Sequence, residues 1–494
     1  YLTCGLLFKI TPEELAPMED QGVVLVWVNG PSFSNIKYTQ KYTNMLIPIF
    51  EKIPEMEHFG IINGFGNNVA SAVGFINLKN WDERKRSATR IQMSIFPALW
   101  AIPGLKIFPL QPQPLPNTGS MIPIQFVLKT NSGIDALMPA MQKLMYAASK
   151  NPGFMNIDTD LKYDKPRVRV TVDRNKAGAL GVPIEQITSS LNIMLGSPES
   201  VQFSLDNRGY YVIPEFTKNF DFNTNPSDLR NIYVRTESGD LVPLSDVAKV
   251  TMDVEPQSIN HFQQLPSATL EASNRAGYTL GEALNFLTTY AQENLPTMQY
   301  DYAGQARQFY EASSAMQEVM VFALIFIFLM LAAQFESFRD PIIILTVVPL
   351  TMAGALFTLK LTGGTLNIYS KIGLVTLIGL IAKHGILIVE FANQLQEKGM
   401  ERFEAVIEAT SLRLRPILMT TGAMVLGALP LAIASGAGAA ARHSIGWVIV
   451  GGMTIGTMFS LFVVPTLYTL IAKVKFVDVE LEKQIEQAIE QNKK

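Results

Sequence analysis

The chain of 494 residues is 48% apolar and carries a formal net charge of −3, with no basic stripe along it. That balance excludes a nucleic-acid binder, which needs a concentrated positive footprint. Cys4 is the single cysteine, so no internal disulfide can form and cysteine usage leaves the compartment open.

The apolar residues divide sharply near Ser314. Before it the sequence is mixed and polar; after it come five apolar runs, at 319–335, 341–359, 372–392, 416–434 and 444–472, each near or above the length that spans a membrane. Residues 1–10 (YLTCGLLFKI) read as the end of a transmembrane helix whose beginning is missing, since neither a charged start nor a small-residue cleavage site marks a signal peptide.

From Gly22 one pattern recurs: a β-rich run, a helical run, a Pro-containing turn and another β-rich run. Pro54, Pro103 and Pro152 recur at a constant spacing of 49 residues, and Pro296 follows after 144. The long interval implies a domain inserted between the third and fourth units. Strands are expected at 23–28, 59–62, 73–78, 106–108, 122–128, 155–159, 268–272 and 299–302. Two β-α-β units make one subdomain, so the soluble part is expected to be α+β, with two ferredoxin-like βαββαβ modules. The expected boundaries are 11–118 for the first module, 119–161 with 255–315 for the second, and 162–254 for the inserted α+β lobe. The lobe opens on RVRVTV at 167–172, with further β-rich runs at 210–214 and 231–235. Five membrane helices occupy 316–475, and 476–494 is a charged, solvated tail.

Short loops on one side of the membrane collect Arg339, Lys398, Arg402, Arg413, Arg415, Lys473 and Lys475, against Lys360, Lys371 and Arg442 on the other. The first side is cytoplasmic by the positive-inside rule, and the large domain before the first span lies outside the cytoplasm. Small residues (Gly422, Ala423, Gly427, Ala428, Gly451, Gly452, Gly456) are expected to let the last two spans approach closely.

The run IGLVTLIGLIAKHGILIVEFA at 372–392 carries Lys383 near its middle. A cation there costs roughly 2.5–3.5 kcal/mol and calls for water or an anionic partner. Glu390 is on nearly the same helix face but about 10 Å away along the axis, too far for a direct pair. Lys383 is therefore expected to be a buried cation in a chain without a buried proton acceptor. Arg413 and Thr420 fall two turns apart on one face of the next span. His384 points to another face than Lys383 and reads as structural. No Walker A loop, HExxH or GxSxG occurs, which leaves an ion gradient as the energy source for any transport.

The runs GLIAKHGILIVEFANQLQEKG (379–399), LRLRPILMTT (412–421) and GALPLAIASGAG (427–438) resemble the C-terminal half of resistance-nodulation-division (RND) efflux transporters. MEDQG (18–22), NGFG (63–66) and VDRNKAGALGV (172–182) fall where that family has similar runs. The resemblance covers essentially the whole chain. It implies a proton-driven, trimeric inner-membrane pump of a Gram-negative bacterium, from the multidrug (hydrophobe/amphiphile) branch, with a large periplasmic domain, a periplasmic adaptor and an outer-membrane channel. The two modules become porter subdomains and the insert a docking lobe. The proton gradient takes the place of a cofactor, no metal is implied, and the activity is antiport rather than enzymatic.

The resemblance also gives roles to residues. Lys383 occupies the position of a lysine that pairs with two aspartates of the N-terminal half, and Arg413 and Thr420 match further relay positions. Phe59, Phe65 and Phe75 match phenylalanines of the drug pocket. Asn67 stands where a further phenylalanine is usual, and the 67–72 loop is about three residues shorter than the family's, which implies a narrower substrate range. A relative that uses a similar membrane core for protein translocation or lipid handling is the alternative; the docking insert separates the two.

Overall fold

Alternation in VVLVWVN shapes the first sheet. Val24, Val26 and Val28 are fully buried, whereas Leu25 and Trp27 face the other side, as a period of two requires. The computed structural model describes residues 2–115, 122–195, 201–213, 229, 232–256, 258–275 and 277–473. In it a short helix, α1 (Leu2–Ile10), precedes this strand, β1 (Val23–Asn29). Then come α2 (Ile36–Thr43), α3 (Ile47–Glu51), β2 (Met56–Asn63), β3 (Ser71–Leu78), α4 (Ala88–Trp100) and β4 (Lys106–Leu110). The strands pair antiparallel in the order β2-β3-β1-β4. Phe50, Ile91, Ile95 and Leu99 of the helices close the core over one sheet face only.

The second sheet begins with β5 (Ile124–Lys129), α5 (Ile134–Lys150) and β6 (Phe154–Thr159). The chain then leaves for a separate unit, Leu161–Ile259. There β7 (Lys165–Val172) pairs along its length with β12 (Ala248–Glu255). Between them lie α6 (Arg174–Ala179), α7 (Ile184–Leu195), the hairpin of β8 (Val201–Leu205) and β9 (Arg208–Val212), the pair β10 (Tyr233–Arg235) and β11 (Leu241–Pro243), and α8 (Leu244–Val247). Ala177, Ile187, Val234 and Val247 centre its small core. The expected strand ends at Pro214 and Asn231, and the tail at 476–494, lie outside the described residues.

On its return the chain adds β13 (Asn260–Phe262), β14 (Leu265–Asn274), α9 (Leu280–Asn294) and β15 (Gln299–Tyr302). β14 sits between β5 and β6, and β15 pairs with the far side of β5. The order β6-β14-β5-β15 thus repeats that of the first sheet. A capping box of Thr279 and Glu282 starts α9.

The membrane part comprises α10 (Gly304–Phe335), the pair α11 (Arg339–Leu345) and α12 (Val347–Leu361), α13 (Ile368–Glu397), α14 (Arg402–Ala432) and α15 (Ala439–Ile471). Counting α11–α12 as one span, five helices among the described residues are long and apolar enough to cross a membrane. α10 starts well before its apolar run, because residues 304–318 contain good helix formers and an Arg307–Glu311 ion pair one turn apart.

Glycines decide how closely α15 packs. A Cβ on Gly452 would come within 2.2 Å of Leu377, and one on Gly446 within 2.4 Å of the Ala432 backbone nitrogen. Gly422 and Gly427 meet nothing within 4 Å, so the expectation that they mediate close helix approach fails within this chain. Both lie where α14 is open.

The 11–19 stretch straps the soluble part to the bundle. Pro12 and Leu15 carbonyls accept from Leu366 and Ile368 amides, the Glu13 carbonyl accepts from Gly281 of α9, and Glu19 accepts from Ala441 at the start of α15. Just beyond, Asp20 of the MEDQG run takes a bidentate pair from Arg84 at 2.8 and 3.0 Å and the amides of Ala88 and Gly22. Arg84 also lies 4.4 Å above the Trp81 ring. Burial pushes the Asp20 carboxyl up, but these donors outweigh it and hold the group below the ordinary value of 3.8.

Two outcomes follow in detergent-solubilised protein. Asp20→Ala, which strands the buried Arg84, lowers unfolding stability by about 3–5 kcal/mol. A depressed folded pKa contributes stability that is complete above the unfolded value and is lost as pH falls through the folded one. The advantage of wild type over Asp20→Asn is therefore constant at neutral pH and shrinks below 3.8. Gly446→Ala costs about 1–3 kcal/mol by overpacking against fixed backbone; Gly427→Ala leaves the thermal midpoint unchanged or slightly raised.

Candidate functional site

α13 begins at a tight cap. Asn367 is fully buried, accepts from the Tyr369 and Ser370 amides, and forms a reciprocal box with the Ser370 hydroxyl. A single rigid helix from that cap fixes where each later side chain points. Lys383 and Glu390 both fall on its exposed side, and Lys383 makes no ion pair among the described residues. The expected buried cation is thus an outward-facing one, because the buried stripe of α13 is taken by Leu377, Ile381, His384 and Ile388.

Arg413 of α14 reaches α13 lower down. Its guanidinium lies 4.5 Å from the centre of the Phe391 ring, and its Nε is buried without a hydrogen-bond partner. Thr420 turns its hydroxyl back on its own helix, donating to the Pro416 and Ile417 carbonyls at 3.0 Å. No hydrogen bond or ion pair among the described residues joins Lys383, Arg413 and Thr420 to one another.

Two buried polar clusters escaped the sequence reading. His384 is fully buried between Thr421 and Thr457, the residue next to Thr420 and a residue of α15. At the cytoplasmic end, Asp340 is buried and accepts from Asn393 at 3.4 Å; Asn393 accepts from Tyr468 at 2.6 Å, and Tyr468 accepts from Gln396 at 2.5 Å. A buried carboxylate therefore does exist in the chain, contrary to expectation. Asp340 follows Arg339 in a loop-like ESFRDP run, which hid it. The spacing of Asn393 and Gln396 at i, i+3 on the buried stripe was the signal available.

On the first sheet the three phenylalanines do not share a face. Phe59 pairs with Ile76 and packs edge-on against Phe50 at 5.7 Å, in the helix-covered core. Phe75 pairs with Leu25 and Gly60, on the opposite face. A Cβ on Gly60 would come within 2.3 Å of the Phe75 ring, so glycine is what lets that ring lie across β2. Phe65 stands on a turn where Gly64 and Gly66 have φ of +78° and +67°. Its ring meets Trp27 edge-on at 5.6 Å. Trp27, missed in the sequence, sits on the open face with Phe65 and Phe75; Asn67 closes the same turn in the backbone.

The corresponding face of the second sheet is polar. Register places Gln125, Lys129, Ser267, Glu271 and Asp301 together, with Lys129 bonded to Asp301 at 2.9 Å. Burial pushes the Asp301 carboxyl up, but Lys129 and the Tyr302 amide hold it below its ordinary value. Lys106 of the first sheet lies 3.7 Å from Asp158 of the second. Where α1 meets α9 and α10, a cleft of about 430 Å³ is lined by Phe8, Lys9, Glu282, Phe309 and Tyr310, among others. It combines aromatic walls with charge of both signs. Among the described residues no group of three or more His, Cys, Asp or Glu could hold a metal.

Paired β-α-β sheets on a bundle of helices long and apolar enough to cross a membrane define a multi-pass membrane protein with a large soluble part. The pattern of the AcrB/AcrD/AcrF family matches residues 2–472, and the chain belongs to that family of RND efflux transporters. It is accordingly a protein of the inner membrane with a periplasmic domain. It is 37% identical to an uncharacterized transporter of Haemophilus influenzae, over 96% of this chain and 46% of that protein. It is 32% identical to the multidrug/solvent efflux pump membrane transporter MepB of Pseudomonas putida, over 97% and 46%. With the multidrug export protein AcrF of Escherichia coli the identity is 30%, over 95% and 46%. The chain spans about half the length of the curated relatives it matches.

Proposed function

We propose that the chain supplies the C-terminal half of a proton-driven antiporter that exports amphiphilic compounds or drugs from the periplasm or the inner membrane. The observation that carries this reading is Lys383: a cation midway along an apolar helix, on an exposed face, with no ion pair among the described residues. An ammonium in hydrocarbon is sustained by a carboxylate partner. The N-terminal half of the transporter is the source of that carboxylate, consistent with relatives about twice as long. Protonating the partner releases Lys383, and helix packing changes with it. Arg413, against Phe391 at the cytoplasmic side, and Thr420 serve proton passage.

The repeated β2-β3-β1-β4 order supports two ferredoxin-like porter modules, bounded at 11–118 and at 119–161 with 255–315. The 162–254 insert is read as the docking lobe toward an adaptor and an outer-membrane channel, in a trimer. The names of the relatives, which include multidrug and solvent efflux, support apolar and amphiphilic cargo. Phe65, Phe75 and Trp27 form the aromatic contact for cargo, and Asn67 belongs to the same backbone turn as Phe65; Phe59 belongs to the core behind it. Aromatic faces with few fixed donors bind flat molecules without strict geometry.

In the full-length protein, Lys383→Met abolishes proton-coupled export while protein level and trimer are kept, and Arg413→Ala impairs it less. Wild-type pumping by Lys383→Met in proteoliposomes would remove the coupling role. Phe65→Ala reduces export of bulky aromatic compounds selectively in a drug-susceptibility panel. Phe59→Ala instead lowers protein level and all export together, since emptying a core site costs about 3–5 kcal/mol. Equal and uniform losses in both variants would dismiss the open-face pocket.

A further inference from the structure

α13 sends two neighbouring side chains in different directions. Lys383 faces out of the bundle, and His384 points in, where it is fully buried. The His384 Nε2 lies 3.4 Å from Thr421 Oγ1 on α14, and its Nδ1 lies 3.4 Å from Thr457 Oγ1 on α15. The two threonine oxygens are 3.1 Å apart. Three side chains from three helices thus close a ring.

Counting protons defines the charge of that ring. A neutral imidazole has one N–H and each threonine one O–H, so three donors serve three bonds with none left over. Both tautomers satisfy it, because reversing the direction of the ring moves the N–H to the other nitrogen and keeps every bond. An imidazolium would bring a fourth proton. One hydroxyl would then have to turn back to a carbonyl of its own helix, as Thr420 does.

Among the described residues no carboxylate stands beside the ring to favour the charged form. α14 beyond Arg415 and α15 beyond His443 carry no charged residue, and α12 carries only Lys360 near its end. On α13 the charges are Lys383 itself, the exposed Glu390, and Lys371 and Glu397 towards its two ends. Asp340 is engaged with Asn393, nine residues further along α13.

We propose that His384 is a positioning residue: as a neutral imidazole gripped by Thr421 and Thr457, it fixes the rotation of α13 against α14 and α15 and so the direction in which Lys383 faces. Successive residues of a helix are about 100° apart, so a rotation by one position would turn the ammonium toward the packed side. This rests on the reading of Lys383 as the coupling cation; the bonding of the ring itself does not.

The test uses the full-length transporter in bilayers, as wild type and as His384→Leu and His384→Gln. The ¹⁵N signals of labelled histidine, with His384 assigned by its loss in His384→Gln, show a neutral imidazole at both about pH 5 and about pH 8. An imidazolium signal at the lower pH would overturn the proposal. His384→Leu lowers the maximal export rate about tenfold with half-saturation unchanged within about twofold, whereas His384→Gln, which keeps a donor and an acceptor, stays within about threefold. It also keeps the wild-type pH profile. Wild-type export by His384→Leu, or a shifted pH optimum in His384→Gln, would equally overturn it. If Lys383→Met pumps normally, the antiport reading fails, and the ¹⁵N signals still decide the state of the ring.

Discussion

An ammonium group midway along an apolar helix constrains everything around it. Hydrocarbon cannot solvate it, and the fold answers by turning Lys383 out of the packed seam and filling that seam with Leu377, Ile381, His384 and Ile388. The outward face of α13, with Lys383 and Glu390 on it, is left uncovered among the described residues. α14, with Gly422 and Gly427 open, and α10, with few of its apolar side chains buried, present further uncovered surface. The close packing in this chain lies where the glycines of α15 meet α12, α13 and the last turn of α14.

The soluble part solves a different problem with one topology used twice. Both sheets bury one face under helices, and their second faces diverge in chemistry. The first offers Trp27, Phe65 and Phe75; the second offers Lys129, Asp301, Glu271 and Gln125. An identical strand order therefore provides an aromatic wall and a polar wall. The difference lies entirely in which residue types occupy the alternate positions.

Much of this was legible from periodicity. The alternating run of β1 and the other β-rich runs located the strands to within a few residues, and the five apolar stretches fall on the five long apolar helices, of which α10 and α14 begin well before their apolar runs. What periodicity could not supply was register across strands. Phe59 and Phe75 are close to the same turn in sequence, and only the pairing of Phe59 with Ile76 assigns it to the core. The same limit applied to helices. Thr420 and Thr421 are adjacent, and which of them faces α15 depends on the rotation of α14, a property of packing. Asp340 was hidden for another reason: it is covered by α13 and α15, with its partner Asn393 lying 53 residues further along the chain but in contact in space.

One junction has a mechanical meaning. β15 ends at Tyr302 and α10 begins at Gly304, so Ala303 alone separates an edge strand of the second sheet from a helix of 32 residues. At 1.5 Å per residue that helix is a rod about 48 Å long. A connection of one residue has no slack to absorb a tilt. A few degrees of rocking at the sheet would therefore sweep the far end of α10 by several ångströms, and a displacement of that far end would be returned to the sheet with the same leverage.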